Sequence, residues 1–342
     1  MNWNFVLKLF LIFFVSGCAQ VTSLNLQKHQ FGMFPTRIVW IQVEGINPEH
    51  VALLKFARNK PVGKTAFENA LCMGALWEYD LYNIRPSAYS GFMSQLTGKK
   101  NLKNSCEDYE LKPIWKYISK ENYKVGIFEG KMKPSQSLLS SFACKKKTYL
   151  DEAVLWSMNT AKTEKSLFHV SDKISFEPGK LYYDKSCKRG KCFTSAFENI
   201  KKTFVDFTRS RGNYLYLVRN FQYANAIKVK NIKQARLELD EINAILEYFQ
   251  ALQSKDANML VLFTSSNALD LNFPKQGSEW KNFGMKKNSL PINHTKLVSS
   301  VFASGARAEN FCGMYAQNEI LVRMLSGAKQ QGLEFSIINP FN

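Results

Sequence analysis

The sequence predicts a three-layer α/β fold: a mostly parallel central sheet with helices on both faces. Residues 37–46 read RIVWIQVEGI and residues 259–264 read MLVLFT, near-continuous apolar runs of the kind that mark strands buried on both faces. Between such runs lie stretches with helical periodicity, and strands alternating with helices imply parallel pairing. The chain has 342 residues, 45% hydrophobic and 13% aromatic, ample for one large core, with no internal repeat and no linker-like shift in composition.

The first eighteen residues stand outside that body. MNWNFVLKLFLIFFVSGC has one early lysine, Lys8, then an apolar run over 9–15 and small residues before Cys18. The run is too short to span a bilayer as a permanent helix and reads as a secretory segment. Val15-Ser16-Gly17-Cys18 resembles the bacterial lipobox, which implies that Cys18 becomes the lipidated, palmitate-bearing first residue of the mature protein. Residues 1–17 are then a lipoprotein signal peptide and 18–35 a tether. Residues 36–342 form a single α/β domain with an irregular insertion around 132–211. Ala19 after the cysteine, with no Asp, favours the outer over the inner membrane of a bacterial envelope.

Along the domain, residues 37–46 form the first strand and 48–58 a short amphipathic helix carrying Val51, Leu54 and Ala57. Residues 63–72, with TAFENALC, are read as a second strand, and 77–84 as an aromatic loop. Pro86 near the start and Gly98 just past the end punctuate a helix, placing Ser87 and its neighbours at its N-terminus. Helices are expected over 113–121, 135–142 and 193–209, and strands over 123–128, 148–156 and 213–218. A long helix over 229–253 carries one stripe of Val229, Ile232, Leu239, Ile242, Leu246 and Phe249. Strands over 259–264 and 297–303 and a helix over 318–325 complete the order.

Beyond Cys18 there are six cysteines: Cys72, Cys106, Cys144, Cys187, Cys192 and Cys312. An even number in an exported chain indicates disulfides of open connectivity. Cys187 and Cys192 bracket Lys188-Arg189-Gly190-Lys191 as a small closed loop; zinc is the weaker alternative, since there is no second close pair and the nearest histidine, His169, is distant. The formal charge of +18 favours anionic surfaces such as lipid headgroups, lipopolysaccharide or cell-wall polymers. No nucleic-acid reading module is present, so nucleic acid is not an expected partner.

The order of segments resembles the alkaline phosphatase superfamily, which includes sulfatases, phosphodiesterases and phosphoethanolamine transferases. RIVWIQVEGI is similar to its first strand, which ends in Asp-Gly, and the run from Arg85-Pro86-Ser87 to Leu96-Thr97-Gly98 to its nucleophile helix. LYLVRN with the long helix after it, and SVFASGARAENFCGMY, resemble later strands of the family. LVLFTSSNA stands where the family carries Thr-Ser-Asp-His-Gly. The resemblance implies chemistry on phosphate or sulfate esters through two zinc ions or one calcium held by Asp and His, with a Thr, Ser or modified Cys nucleophile.

Carried over residue by residue, most of those groups are replaced. Glu44 stands for the first Asp, and Ser266, Asn267 and Ala268 for Asp-His-Gly. Arg219, Asn220, Phe221, Gln222 and Tyr223 follow the strand where phosphodiesterases place an Asp and a His. Residues 277–282 supply Glu279 but no histidine, and His29, His50, His169 and His294 read as surface or loop residues. The nucleophile position falls on Ile84 or Ala88, neither of which can attack, with Ser87 and Ser90 the nearest hydroxyls.

The expected protein is therefore a lipid-anchored envelope protein of this fold, without catalysis and without a required cofactor, that binds an anionic glycan, lipid headgroup or envelope protein. Arg85 and Arg219 are the candidate anion-binding residues, because guanidinium pairs bidentately with phosphate or sulfate. The alternative is a divergent phosphoric or sulfuric ester hydrolase or transferase using zinc or calcium, Glu44 and Ser87, with Glu279, Asp270 or Asp240.

Overall fold

The computed structural model describes residues 34–326 apart from 57–62, 80–83, 101, 104, 119–121, 145–148, 161–163, 211, 274–291, 294 and 295. These described residues all belong to one compact unit. Cys18, the signal peptide, most of the tether, His29, His294 and Glu279 lie outside the described residues. Among the described residues no helix is long and apolar enough to cross a membrane.

In chain order the elements are β1 (Arg37–Glu44), α1 (Val51–Phe56), β2 (Cys72–Trp77), α2 (Ala88–Thr97), α3 (Ile114–Ile118), β3 (Lys124–Glu129), β4 (Ala153–Ser157), β5 (Leu167–Phe168) and β6 (Leu181–Asp184). They continue as α4 (Ala196–Thr208), β7 (Tyr214–Asn220), α5 (Gln222–Lys228), α6 (Ile232–Gln253), β8 (Met259–Ser266), β9 (Asp270–Leu271), β10 (Ile292–Asn293), β11 (Val298–Gly305), β12 (Gly313–Ala316) and α7 (Glu319–Leu325). One ten-stranded sheet runs β12-β2-β11-β8-β1-β7-β3-β4-β6-β5. Within it only β11 runs antiparallel to its neighbours β2 and β8.

The predicted three layers are present because β1 is apolar on both sides. Val39, Ile41 and Val43 enter one core with α1, α4, α5 and α6, while Ile38 and Trp40 enter the other with α2, α3 and α7. Fully burying each such side chain stabilises by about 1.5–3 kcal/mol. Parallel register then brings the carboxyl ends together, with Glu44 opposite Ser266 and Val43 opposite Asn220.

Several sequence expectations need correction. TAFENALC is not a strand: Thr65 and Glu68 exchange hydrogen bonds, Thr65 N–H to Glu68 Oε2 at 2.9 Å and Glu68 N–H to Thr65 Oγ1 at 3.3 Å. That turn delays β2 to Cys72, so Trp77 ends a strand instead of opening a loop. The predicted helix over 135–142 is a pair of 3₁₀ turns, Pro134–Gln136 and Leu138–Ala143.

The long helix over 229–253 starts three residues late. Lys230 takes φ +58° and Asn231 caps α6 by accepting from the Gln234 N–H at 3.0 Å. Val229 falls in this break and is 72% exposed, while the rest of its predicted stripe is buried. The break leaves α5 as a separate short helix ending in Lys228. Disulfides join Cys72 to Cys312, Cys106 to Cys144 and Cys187 to Cys192, the last as the sequence suggested.

Candidate functional site

The carboxyl ends of β1 and β8 open on a cleft of about 590 Å³ lined by Glu44, Ser87, Tyr109, Gln136, Lys228 and Asn267, among others. This is the position at which parallel α/β sheets collect ligands. Gly45 takes φ +93°, and its N–H donates to the Ser266 carbonyl at 2.9 Å, so the chain turns away at once after Glu44. Ser265 laces the two strand ends: its hydroxyl donates to the Val43 carbonyl and accepts from the Ile46 N–H, both at 2.8 Å.

Glu44 is 1% exposed and its carboxylate is fully engaged. Oε1 accepts from Asn267 Nδ2 at 2.8 Å and pairs with the Lys228 ammonium, while Oε2 accepts from Gln136 Nε2 at 3.0 Å. Asn267 reaches in from a left-handed residue, φ +53°, a conformation Asn tolerates better than most. The Lys228 side chain stays 40% exposed to the cleft. Sequence reasoning missed Lys228, since the helix break that positions it is carried only by Lys230-Asn231.

Across the cleft, Ser87 caps α2 by accepting from the Ser90 N–H at 3.1 Å, and the two hydroxyls lie 3.2 Å apart. The structure therefore brings Glu44, Ser87 and Asn267 to one cleft, with Ser90 buried behind Ser87. Ala88, one of the two residues the sequence placed at the nucleophile position, packs with Phe92, Met132 and Phe221 in a small apolar cluster. Ser266 does not line the cleft; it lies under α2, where any side chain at Gly91 would collide with its hydroxyl.

Arg219 is the clearest departure from expectation. It is 0% exposed, donates from Nη1 to Glu129 at 2.6 Å and from Nε to Gln42 at 3.2 Å, and sits over the Phe221 ring at 5.3 Å. A guanidinium sealed beneath the cleft against its own carboxylate cannot serve as an anion receptor at the mouth. Arg85 is exposed and is not among the residues lining the cleft. Asp270 and Glu49 both pair with Lys296, at 3.4 and 2.7 Å.

Two titratable groups are buried against the segment that follows β8, and neither stood out in the sequence. His50, read there as a surface or loop residue, is 0% exposed. Its Nδ1 accepts from the Tyr223 hydroxyl at 2.8 Å and its Nε2–H donates to the Leu269 carbonyl at 3.0 Å, the tautomer those partners require. Burial, and secondarily the Lys296 charge, push its pKa down to about 3 despite the Leu269 bond. Glu78 lies behind Asn267, accepting from the Ala268 N–H at 3.3 Å. Burial, assisted by the Glu44 charge, raises its pKa to about 8 against the hydrogen bonds it receives.

Solved structures share this fold. The alkaline phosphatase from Thermus thermophilus superposes with a TM-score of 0.66 at 11% identity, covering 93% of this chain and 96% of that one. The alkaline phosphatase from the Antarctic bacterium TAB5 gives 0.63 at 14% identity, covering 87% and 99%. The fold is that of the alkaline phosphatases. A more distant likeness, TM-score 0.51 at 9% identity, is the lipoteichoic acid synthase LtaP from Listeria monocytogenes, covering 86% of this chain and 72% of that one. No family model and no curated protein matches the sequence.

The alkaline phosphatase fold raises the question of metal, and the donor set does not fit one. At the ends of β1, β7 and β8 stand one carboxylate, Glu44, already paired with an ammonium, and the neutral side chains of Asn267, Ser266 and Asn220. Among the described residues no group of three or more His, Cys, Asp or Glu is arranged to hold a metal ion. Zinc favours thiolate, imidazole and carboxylate donors, whereas amides and hydroxyls hold it weakly.

Proposed function

We propose that this protein is a lipid-anchored envelope protein in which an alkaline phosphatase fold serves as a non-catalytic scaffold, its cleft binding an anionic ligand. The observation that supports this reading best is the Glu44–Lys228 pair, which places a side-chain cation where a metallo-enzyme needs an ion. The Ala88 cluster points the same way, because a methyl group packed among apolar side chains stands at one of the two expected nucleophile positions. An ordinary cleft without metal or nucleophile supplies little of the barrier reduction that phosphate-ester hydrolysis demands. Lys228, with Ser87 at the head of α2, offers a cation and hydroxyls to a phosphate or sulfate group on a glycan or headgroup.

Hydrolysis of nitrophenyl phosphate and nitrophenyl sulfate, with zinc or calcium added, tests the reading. The expected result is no rate above that of Ser87→Ala/Ser90→Ala, together with phosphate binding that Lys228→Met weakens. Turnover that depends on Ser87 and on added metal would instead establish the divergent hydrolase.

A further inference from the structure

A second surface lies at the same end of the sheet as the cleft. The Cys187–Cys192 disulfide closes the loop Lys188-Arg189-Gly190-Lys191, and Cys187 is anchored in the core. Below it, buried Asp184 accepts from the Ser186 N–H at 2.8 Å, the Ser186 hydroxyl at 2.8 Å and Asn199 Nδ2 at 2.6 Å. From the end of β3, Lys131 Nζ donates to the Gly190 carbonyl at 2.8 Å. The loop is therefore held from within, from below and from the side.

What it holds out is unusual in combination. Lys185, Lys188, Arg189 and Lys191 are all exposed, with exposed Lys131 beside them. Glu164 pairs with Lys188 at 2.6 Å. Immediately after the disulfide, Phe193 is 82% exposed, the most exposed large apolar residue among those described. A solvated charge run does not require an aromatic ring in water, and a soluble polyanion site gains little from one. Cations that meet phosphates while an aromatic side chain enters the acyl boundary are what an anionic bilayer surface selects.

We infer that the disulfide-closed loop 187–193 is a docking element for an anionic lipid surface: Arg189, Lys191 and Lys185 engage headgroup phosphates and Phe193 inserts beside them. The inference goes beyond the proposed function, because it involves neither the cleft nor Cys18. It shares with that reading only the membrane setting.

The test is sedimentation of residues 19–342, the chain that follows Cys18, with vesicles of phosphatidylglycerol and phosphatidylethanolamine, against vesicles of phosphatidylcholine. Since Cys18 is outside the tested chain, failure here leaves the lipid anchor untouched. Binding to the anionic vesicles alone is expected. Arg189→Glu/Lys191→Glu should lower it more than twenty-fold, at about five-fold or more per cation removed. Phe193→Ala should lower it about ten-fold, the scale of one buried aromatic ring, while leaving dextran sulfate binding unchanged. Thermal midpoints equal to the parent confirm that the variants fold. Equal binding to both vesicle types would overturn the inference. So would full vesicle binding by Phe193→Ala, which would assign the loop to a soluble polyanion.

Discussion

Lys228 neutralises Glu44, yet an ammonium can neither polarise a phosphoryl oxygen as a Lewis acid nor lower the pKa of a bound water as zinc does. Removing it leaves a buried carboxylate with two amide donors. Because the lysine is half-exposed, Lys228→Met should cost about 1–2 kcal/mol, less than breaking a fully buried pair. Adding Glu44→Gln should recover most of that loss, a coupling readable as a double-mutant cycle in urea denaturation. The sequence exposed Glu44 and Asn267 as substitutions but not the lysine beside Glu44, since Lys228 lies 184 residues from it in the chain.

His50 and Glu78 make opposite contributions to stability against pH. His50 titrates near 6.5 when unfolded and about 3 when folded, so the unfolded chain binds more protons between those values and stability rises with pH there. Glu78 titrates near 4.5 unfolded and about 8 folded, so the folded chain binds more protons and stability falls as pH rises through that window. From these two groups a plateau is expected between pH 4.5 and 6.5, where the slopes cancel, with losses on either side. Each loss spans about 1.5 pH units and is on the order of 2 kcal/mol when complete, at about 1.4 kcal/mol per unit. Denaturation midpoints across pH should show Glu78→Gln abolishing the alkaline fall, while the acid fall, no longer offset, begins near pH 6.5. Neither residue was legible in advance: a lone histidine or glutamate near a strand end carries no mark of burial.

Among the elements, strands were easier to read than breaks. β1, β7 and β8 announce themselves because burial on both faces forces continuous apolar runs. Helix α2 was marked by a capping serine at one end and Gly98 at the other, where φ +69° suits glycine. The α5–α6 break was hidden because Val229 extends the apolar periodicity across it, and only the left-handed Lys230 interrupts the helix. That residue bears the cost of a Cβ in left-handed backbone, about 1 kcal/mol. Lys230→Gly should therefore raise stability by about that amount and shift the thermal midpoint upward by about 2 °C. A lowered midpoint would mean that the Lys230 side chain makes contacts worth more than the strain.

Taken as a whole, the molecule keeps a sheet register that converges Glu44, Ser266 and Asn220 at one end while supplying those positions with one paired carboxylate and two neutral side chains. Arg219 extends the pattern below the cleft, where Glu129 and Gln42 consume a charge that the sequence suggested was available to ligand. The three-layer fold was legible because its determinants are periodic. The internal ion pairs were not, because each joins residues distant in sequence. Calorimetric titration of zinc and of calcium into the purified chain addresses the central point most directly. No saturable binding is expected while Lys228 holds Glu44; stoichiometric, tight binding that Glu44→Gln eliminates would contradict it.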